Sequence, residues 1–137
     1  MRFDTTIFET GDNRSIYEAA KTTIDRYLSA AAGRIIIKPQ VALKSEQSGS
    51  VSNIELIRGL LDRTIDSKAG PCEIVIVESD YFGNLDTAFE ELGYLELCDS
   101  YSHVRIVNLS EDNVVKLVLP GSRKLGIIEF PETLLSW

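Results

Sequence analysis

Two acidic residues stand close together after an apolar run in the middle of the chain. Glu78 and Asp80 end the segment "CEIVIVESD", with Ser79 between them. Alternate residues of an extended chain point to the same side, so both carboxylates can face one ligand. Such a pair can bind a divalent cation or accept a proton from a substrate. A polar strand end without any ligand has the same sequence, and no third carboxylate stands at a fixed spacing, so both interpretations stay open.

A lysine and a helix start form a second group of candidates. Lys38 ends the run "RIIIK", and a long polar stretch separates it from Ser52, where a helix is predicted to begin. Unpaired amides and the helix dipole favour an anion at such a helix start, and Lys38 adds a positive charge. In the alternative, Lys38 is a solvated lysine and Ser52 only a cap, since the loop has neither a Walker pattern nor GxGxxG. The full set of predicted ligand-binding residues is Lys38, Gln40, Ser50, Ser52, Asn53, Glu78, Ser79 and Asp80.

The elements that must position these residues alternate between strands and helices. "RIIIK" and "CEIVIVE" are β-branched runs without alternation, which is typical of strands covered on both faces in a parallel sheet. Capping boxes are predicted at Ser15 with Glu18 and at Ser52 with Glu55. The predicted strands are 3–9, 34–38, 72–78, 103–109, 113–119 and 125–130, and the predicted helices are 15–32, 52–69 and a third that starts after Asn84 and is interrupted at Gly93.

This order of elements predicts one α/β domain over residues 1–137. We expect a three-layer sandwich with a mainly parallel, Rossmann-like sheet built from right-handed βαβ units, to which the last two strands are added. Ligands of such sheets bind beyond the carboxyl ends of the strands. The segments 38–51, 78–84 and 108–113 should therefore meet at one edge.

Composition excludes several classes of function. The 137-residue chain is 44% hydrophobic and has a net charge of −7 without any basic run, which argues against binding to nucleic acid. No apolar stretch reaches the roughly 20 residues that span a bilayer, and no signal peptide is seen, so a cytoplasmic protein without membrane contact is expected. Cys72 and Cys98 form no CxxC motif, and with His103 as the sole histidine no metal site is predicted. The chain lacks a GxSxG elbow, and whether it is an enzyme stays open.

The segments "RIIIKPQ", "NIELIRGLLD", "EIVIVESD", "AFEELGY" and "VRIVNLS" resemble, in this order, the amino-terminal half of the domain-of-unknown-function family 362. The resemblance covers roughly residues 13–135 and implies an α/β domain that many members join to a ferredoxin-like segment with iron–sulfur clusters. Gln40 departs from the family's asparagine after Lys-Pro. A cluster generally needs four ligands, and the chain has two cysteines, so no iron–sulfur cluster is expected in it. Its end at "PETLLSW" resembles that of a shortened member.

Two classes of function follow from these features. The first is a cytoplasmic α/β domain that binds a small anionic ligand at the carboxyl edge of the sheet, as the whole or a remnant of a redox-associated enzyme. The alternative is a noncatalytic interaction or oligomerisation module, in which the loop at 39–51 has no ligand to bind. An exposed sheet edge or the apolar residues Leu134, Leu135 and Trp137 predict a homodimer, unless that tail packs on its own core.

Overall fold

The computed structural model describes residues 11–28, 33–41, 51–67, 73–80 and 83–135. The strands in it are β1 (Arg34–Ile37), β2 (Glu73–Glu78), β3 (Val104–Asn108), β4 (Val114–Val118) and β5 (Ile127–Pro131). The helices are α1 (Asn13–Leu28), α2 (Ile54–Asp66), α3 (Leu85–Glu91) and α4 (Tyr94–Asp99), followed by a 3-10 turn at Glu132–Leu134. The strand predicted at 3–9 lies outside the described residues.

The strands β1, β2 and β3 form a parallel sheet in that order. The central strand β2 is almost wholly buried, because Ile74, Val75 and Ile76 have no exposed surface and Val77 has 1%. An uninterrupted β-branched run suits a strand whose two faces are both covered. The structure thus confirms the predicted α/β class and the parallel pairing of these strands.

The last two strands do not join this sheet. β4 and β5 pair antiparallel with each other as a separate two-stranded sheet. The prediction that they extend the parallel sheet is therefore wrong. Along β4, exposed residues alternate with half-buried ones, which suits a ribbon with a solvated face better than a strand inside a doubly covered sheet.

The hydrophobic core of the described residues lies between one face of the parallel sheet and the helices α2, α3 and α4. Ile37 and Ile76 are paired on neighbouring strands and supply the sheet side of this core. The helical side consists of Ile57, Leu61, Leu85, Ala88, Phe89, Tyr94 and Leu97. Glu78 ends β2 two residues after Ile76, so strand alternation places it on the core face at the carboxyl edge.

A glycine allows α1 and α2 to pack closely. A Cβ atom added to Gly59 would lie 3.0 Å from the Cβ atom of Ala20 and still closer to the carbonyl oxygen of Tyr17. The Tyr17 hydroxyl donates a hydrogen bond of 2.7 Å to Oδ2 of Asp62, and the Tyr101 hydroxyl donates one of 2.6 Å to Oδ1 of the same carboxylate. α2 is thereby fixed to α1 and to the chain that precedes β3.

The start of α1 differs from its prediction. The amide of Ser15 donates a hydrogen bond of 2.7 Å to Oδ1 of Asp12, and the amide of Asp12 donates one of 3.1 Å to Oγ of Ser15. Asp12 and Ser15 thus form the reciprocal capping pair, and the predicted pair of Ser15 with Glu18 is wrong.

Gly93 interrupts the third predicted helix, as expected from the sequence. Its φ is 78°, and the helix α4, which was not predicted, begins directly after it.

Candidate functional site

The carboxyl ends of β1, β2 and β3 lie at the same edge because the three strands are parallel. Hydrogen bonds join the segments that follow β2 and β3. The amide of Leu109 donates to the carbonyl oxygen of Glu78 at 2.8 Å, and the amide of Asp80 donates to Oγ of Ser110 at 2.8 Å. Two of the three predicted segments therefore meet at this edge.

The third segment joins the same edge through the start of α2. The amide of Ser52 donates to the carbonyl oxygen of Gln40 at 2.9 Å, and the amide of Gln40 donates to Oγ of Ser52 at 2.9 Å. Ser52 is thus bound to the chain that leaves β1, and the prediction that it caps α2 is wrong. Asn53 is the cap, because its Oδ1 accepts from the amide of Glu55 at 2.8 Å.

The chemistry at this edge centres on an ion pair between two predicted residues. The Nζ atom of Lys38 contacts Oε2 of Glu78. The Lys38 side chain is 53% exposed, whereas the Glu78 side chain is 3% exposed. Apart from this contact, Oε2 has no hydrogen-bond partner in the described part of the chain. Burying a carboxylate is costly unless an opposite charge offsets the lost hydration, so Glu78 ties the lysine ammonium group to the sheet edge.

A buried tyrosine completes the cluster around this ion pair. Tyr94 is fully buried at the start of α4, and its hydroxyl donates a long hydrogen bond of 3.4 Å to the carbonyl oxygen of Ser52. Burial, and then the negative charge of Glu78, raise the pKa of Tyr94 far above its usual value. The phenol therefore stays protonated. Sequence reasoning did not select Tyr94, although the Gly-Tyr pair in "AFEELGY" was the available signal.

Asp80 has a different role from its neighbour Glu78. Its Oδ1 accepts hydrogen bonds from the amides of Gly83 at 2.6 Å and Asn84 at 3.3 Å, and its Oδ2 accepts from the amide of Leu85 at 3.1 Å. The carboxylate thus caps the start of α3, where the side chain of Asn84 makes no capping bond. Spacing suggested one shared ligand for the two carboxylates, but each has a separate partner within the protein.

The remaining predicted residues fall into two groups. Ser79 is exposed at the same edge, and Ser50 lies outside the described residues together with the rest of 42–50.

Asn108, which was not predicted, also lies at this edge. It is paired with Glu78 across the sheet, and its Oδ1 accepts a hydrogen bond from the amide of Ser110 at 3.1 Å. Asn108 therefore adds an amide side chain beside the buried carboxylate.

The opposite edge of the sheet carries a separate charge cluster. Glu73 accepts hydrogen bonds from Nε of Arg34 at 2.6 Å and from Nε of Arg105 at 2.7 Å. The hydrogen bond from Arg105, and then that from Arg34, lower the pKa of Glu73. These three residues link the amino-terminal ends of the strands and lie away from the Lys38 edge.

Two general features of the described residues bear on function. Within them, no three His, Cys, Asp or Glu side chains are grouped in a way that could hold a metal ion. None of the helices described has the length and apolar character needed to cross a membrane.

Fold and site together define an α/β domain whose parallel sheet carries a lysine, a buried carboxylate and a helix start at its carboxyl edge. The family model described as Domain of unknown function (DUF362) matches residues 35–136. The chain therefore belongs to this family, as its resemblance predicted. No match was found among curated proteins or among solved structures.

Proposed function

We propose that this domain binds a small anion, a phosphate or a carboxylate, at the carboxyl edge of its parallel sheet. The observation that carries the proposal is the contact between the half-exposed ammonium group of Lys38 and the buried carboxylate of Glu78. A lysine held in this way presents its remaining N–H groups at a fixed place, so less side-chain entropy is lost when a ligand binds.

Further donors lie at the start of α2, which hydrogen bonds between Ser52 and Gln40 join to the chain that follows Lys38. The Ser52 hydroxyl accepts a hydrogen bond from Gln40, and within the described residues its own hydrogen has no acceptor. The amide of Ile54, the first residue of α2, likewise has none in the described ranges. Helix-start amides and the helix dipole favour negative charge, and the lysine ammonium group adds further N–H donors beside them. Lys38, Ser52 and Ile54 are therefore the proposed direct contacts.

The charge of Glu78 reduces the net positive charge that an anion meets at this site. Because Glu78 and Lys38 neutralise each other, a ligand meets an oriented set of donors and not an unshared positive charge. We assign Glu78 to the orientation of Lys38, and Asp80 to the start of α3. Removal of the Glu78 charge takes away a carboxylate that repels the anion but also the contact that holds Lys38, so the two effects oppose each other and the net change in affinity should be smaller than that of Lys38→Met.

The family resemblance extends the proposal to redox-associated proteins, with no cluster held by this chain. Burial, and then the charge of Asp99, raise the pKa of Cys98 to about 11. Metal and cluster ligation requires the thiolate form, which a raised pKa disfavours at neutral pH. Cys98 is half-buried and packs against the hydrophobic core of the described residues, so we assign it a packing role.

Isothermal calorimetry with pyrophosphate and with succinate tests the proposal. The Lys38→Met variant should bind at least about tenfold more weakly than the wild type, which corresponds to about 1.4 kcal/mol. Lys116→Met is the matched control, because Lys116 also contacts a glutamate, Glu129 at 3.7 Å, but in the separate sheet. Its affinity should equal that of the wild type.

Two further variants assign the individual roles. Ser52→Ala should weaken binding, and Glu78→Gln should change the affinity by less than Lys38→Met does. Equal affinity of wild type and Lys38→Met for these anions would refute the site. A larger loss of affinity in Glu78→Gln than in Lys38→Met would contradict the assignment of Lys38 as the direct contact.

A further inference from the structure

The second sheet and its connecting turn form a distinct surface, here termed the C-terminal hairpin (residues 113–131). Large apolar side chains on it are unusually exposed: Val114 by 55%, Val118 by 69%, Leu125 by 58% and Ile127 by 60%. Val118 and Ile127 are paired across the two strands, so they form one patch. Exposed apolar patches of this kind mark contact surfaces.

The hairpin is also incomplete as an isolated structure. β4 pairs with β5 and, in the part of the chain that the structure describes, neither strand has a second neighbour. A two-stranded antiparallel sheet is only marginally stable in water without a further strand or a packed face. Contact with another surface would cover the apolar patch and stabilise the ribbon.

Charge indicates which surface that is. The hairpin contains Lys116, Arg123 and Lys124 but only one acid, Glu129, although the whole chain has a net charge of −7. The helices α3 and α4, within residues 83–102, contain no lysine or arginine, and their exposed acids are Asp86, Glu90, Glu91, Glu96 and Asp99. Among these acids Leu95 is 45% exposed, which adds an apolar contact.

We propose that the C-terminal hairpin of one copy docks on the acidic α3–α4 surface of a second copy, so that two such contacts close a dimer. The basic turn at Arg123 and Lys124 pairs with the acids of the partner, while Val118 and Ile127 pack near its Leu95. A two-fold arrangement uses each contact twice and brings the buried area closer to the roughly 800 Å² per partner of stable complexes. Direct pairing of two hairpins is disfavoured, because it would bring like charges together.

Charge-swapped variants analysed by sedimentation equilibrium test this arrangement. One variant carries Arg123→Glu and Lys124→Glu, and the other carries Glu90→Lys and Glu96→Lys. Each of the two variants, measured alone, should dimerise more weakly than the wild type, with a dimer dissociation constant raised at least about tenfold. An equimolar mixture should form a heterodimer, because both contacts in it again join opposite charges. Arg14→Glu with Lys21→Glu on α1 is the control for altered net charge and should remain dimeric.

Several results would overturn the arrangement. A wild-type chain that stays monomeric at its highest soluble concentration removes the interface. Charge-swapped variants that remain dimeric place any interface elsewhere. Monomers that fail to combine on mixing, although circular dichroism shows them folded, refute the pairing of these two surfaces. If the charge-swapped variants are unfolded, the double variant Val118→Ser with Ile127→Ser takes their place. Dimerisation of this double variant equal to that of the wild type would refute the role of the apolar patch in the interface. None of these variants alters Lys38 or α2.

Discussion

The ion pair of Lys38 and Glu78 should show a strongly asymmetric response to mutation. Lys38→Met leaves a carboxylate that is 3% exposed without its cation, so the variant should lose about 1–3 kcal/mol of unfolding free energy. Glu78→Gln leaves a lysine that is 53% exposed and can be hydrated, so the loss should stay below about 1 kcal/mol. The double variant should be close in stability to Glu78→Gln alone.

Urea unfolding at neutral pH, followed by circular dichroism, measures this double-mutant cycle. The expected coupling between Lys38 and Glu78 is about 1–3 kcal/mol, the full cost of Lys38→Met, because the double variant should resemble Glu78→Gln alone. The matched control is the pair of Lys116 and Glu129, whose side chains are 71% and 61% exposed. Its coupling should be below about 0.5 kcal/mol, since solvent screens an exposed pair. Equal costs for the two single variants at the Lys38 edge, or additive costs in the double variant, would refute the argument from burial.

Three further predictions concern other parts of the fold. Gly59→Ala should lower stability by about 1–2 kcal/mol, because the clash of the new Cβ atom with the Tyr17 carbonyl group costs more free energy than the higher helix propensity of alanine provides. A raised melting temperature would contradict this prediction. Asp80→Ala should cost about 1–2 kcal/mol through loss of the α3 cap, whereas unchanged urea unfolding would remove that role. Since the pKa of Cys98 is about 11, its alkylation by iodoacetamide should be slow at pH 8 and rise about tenfold per pH unit, and a plateau near pH 9 in peptide mass spectra would contradict the raised pKa.

Local sequence patterns were sufficient for the parallel sheet. The unbroken apolar run of β2 requires cover on both faces, and the structure places β2 at the centre, between β1 and β3. The hairpin shows the limit of such patterns. Periodicity identified β4 and β5 as strands, but their sheet is decided by nonlocal pairing, which an alternating pattern does not specify.

The same distinction applies to the site. Lys38 and Glu78 could be selected from sequence because both end predicted strands, and the parallel register brings those ends together. The position of the α2 cap could not be selected, because a tertiary hydrogen bond to Gln40 occupies Ser52 and moves the cap to Asn53. Tyr94 was missed for a similar reason, since its contact with Ser52 joins distant parts of the chain.

An NMR titration of the ¹⁵N-labelled chain with pyrophosphate tests the central proposal most directly. Amide signals of Lys38, Ser52 and Ile54 should shift together with one dissociation constant, because these residues are the proposed contacts of the anion. Signals of the Lys116 region should stay unchanged and serve as the internal reference. Shifts confined to the C-terminal hairpin or to the residues around Arg34 at the amino-terminal ends of the strands would contradict an anion site at the carboxyl edge of the sheet. The absence of shifts at any residue would contradict it as well.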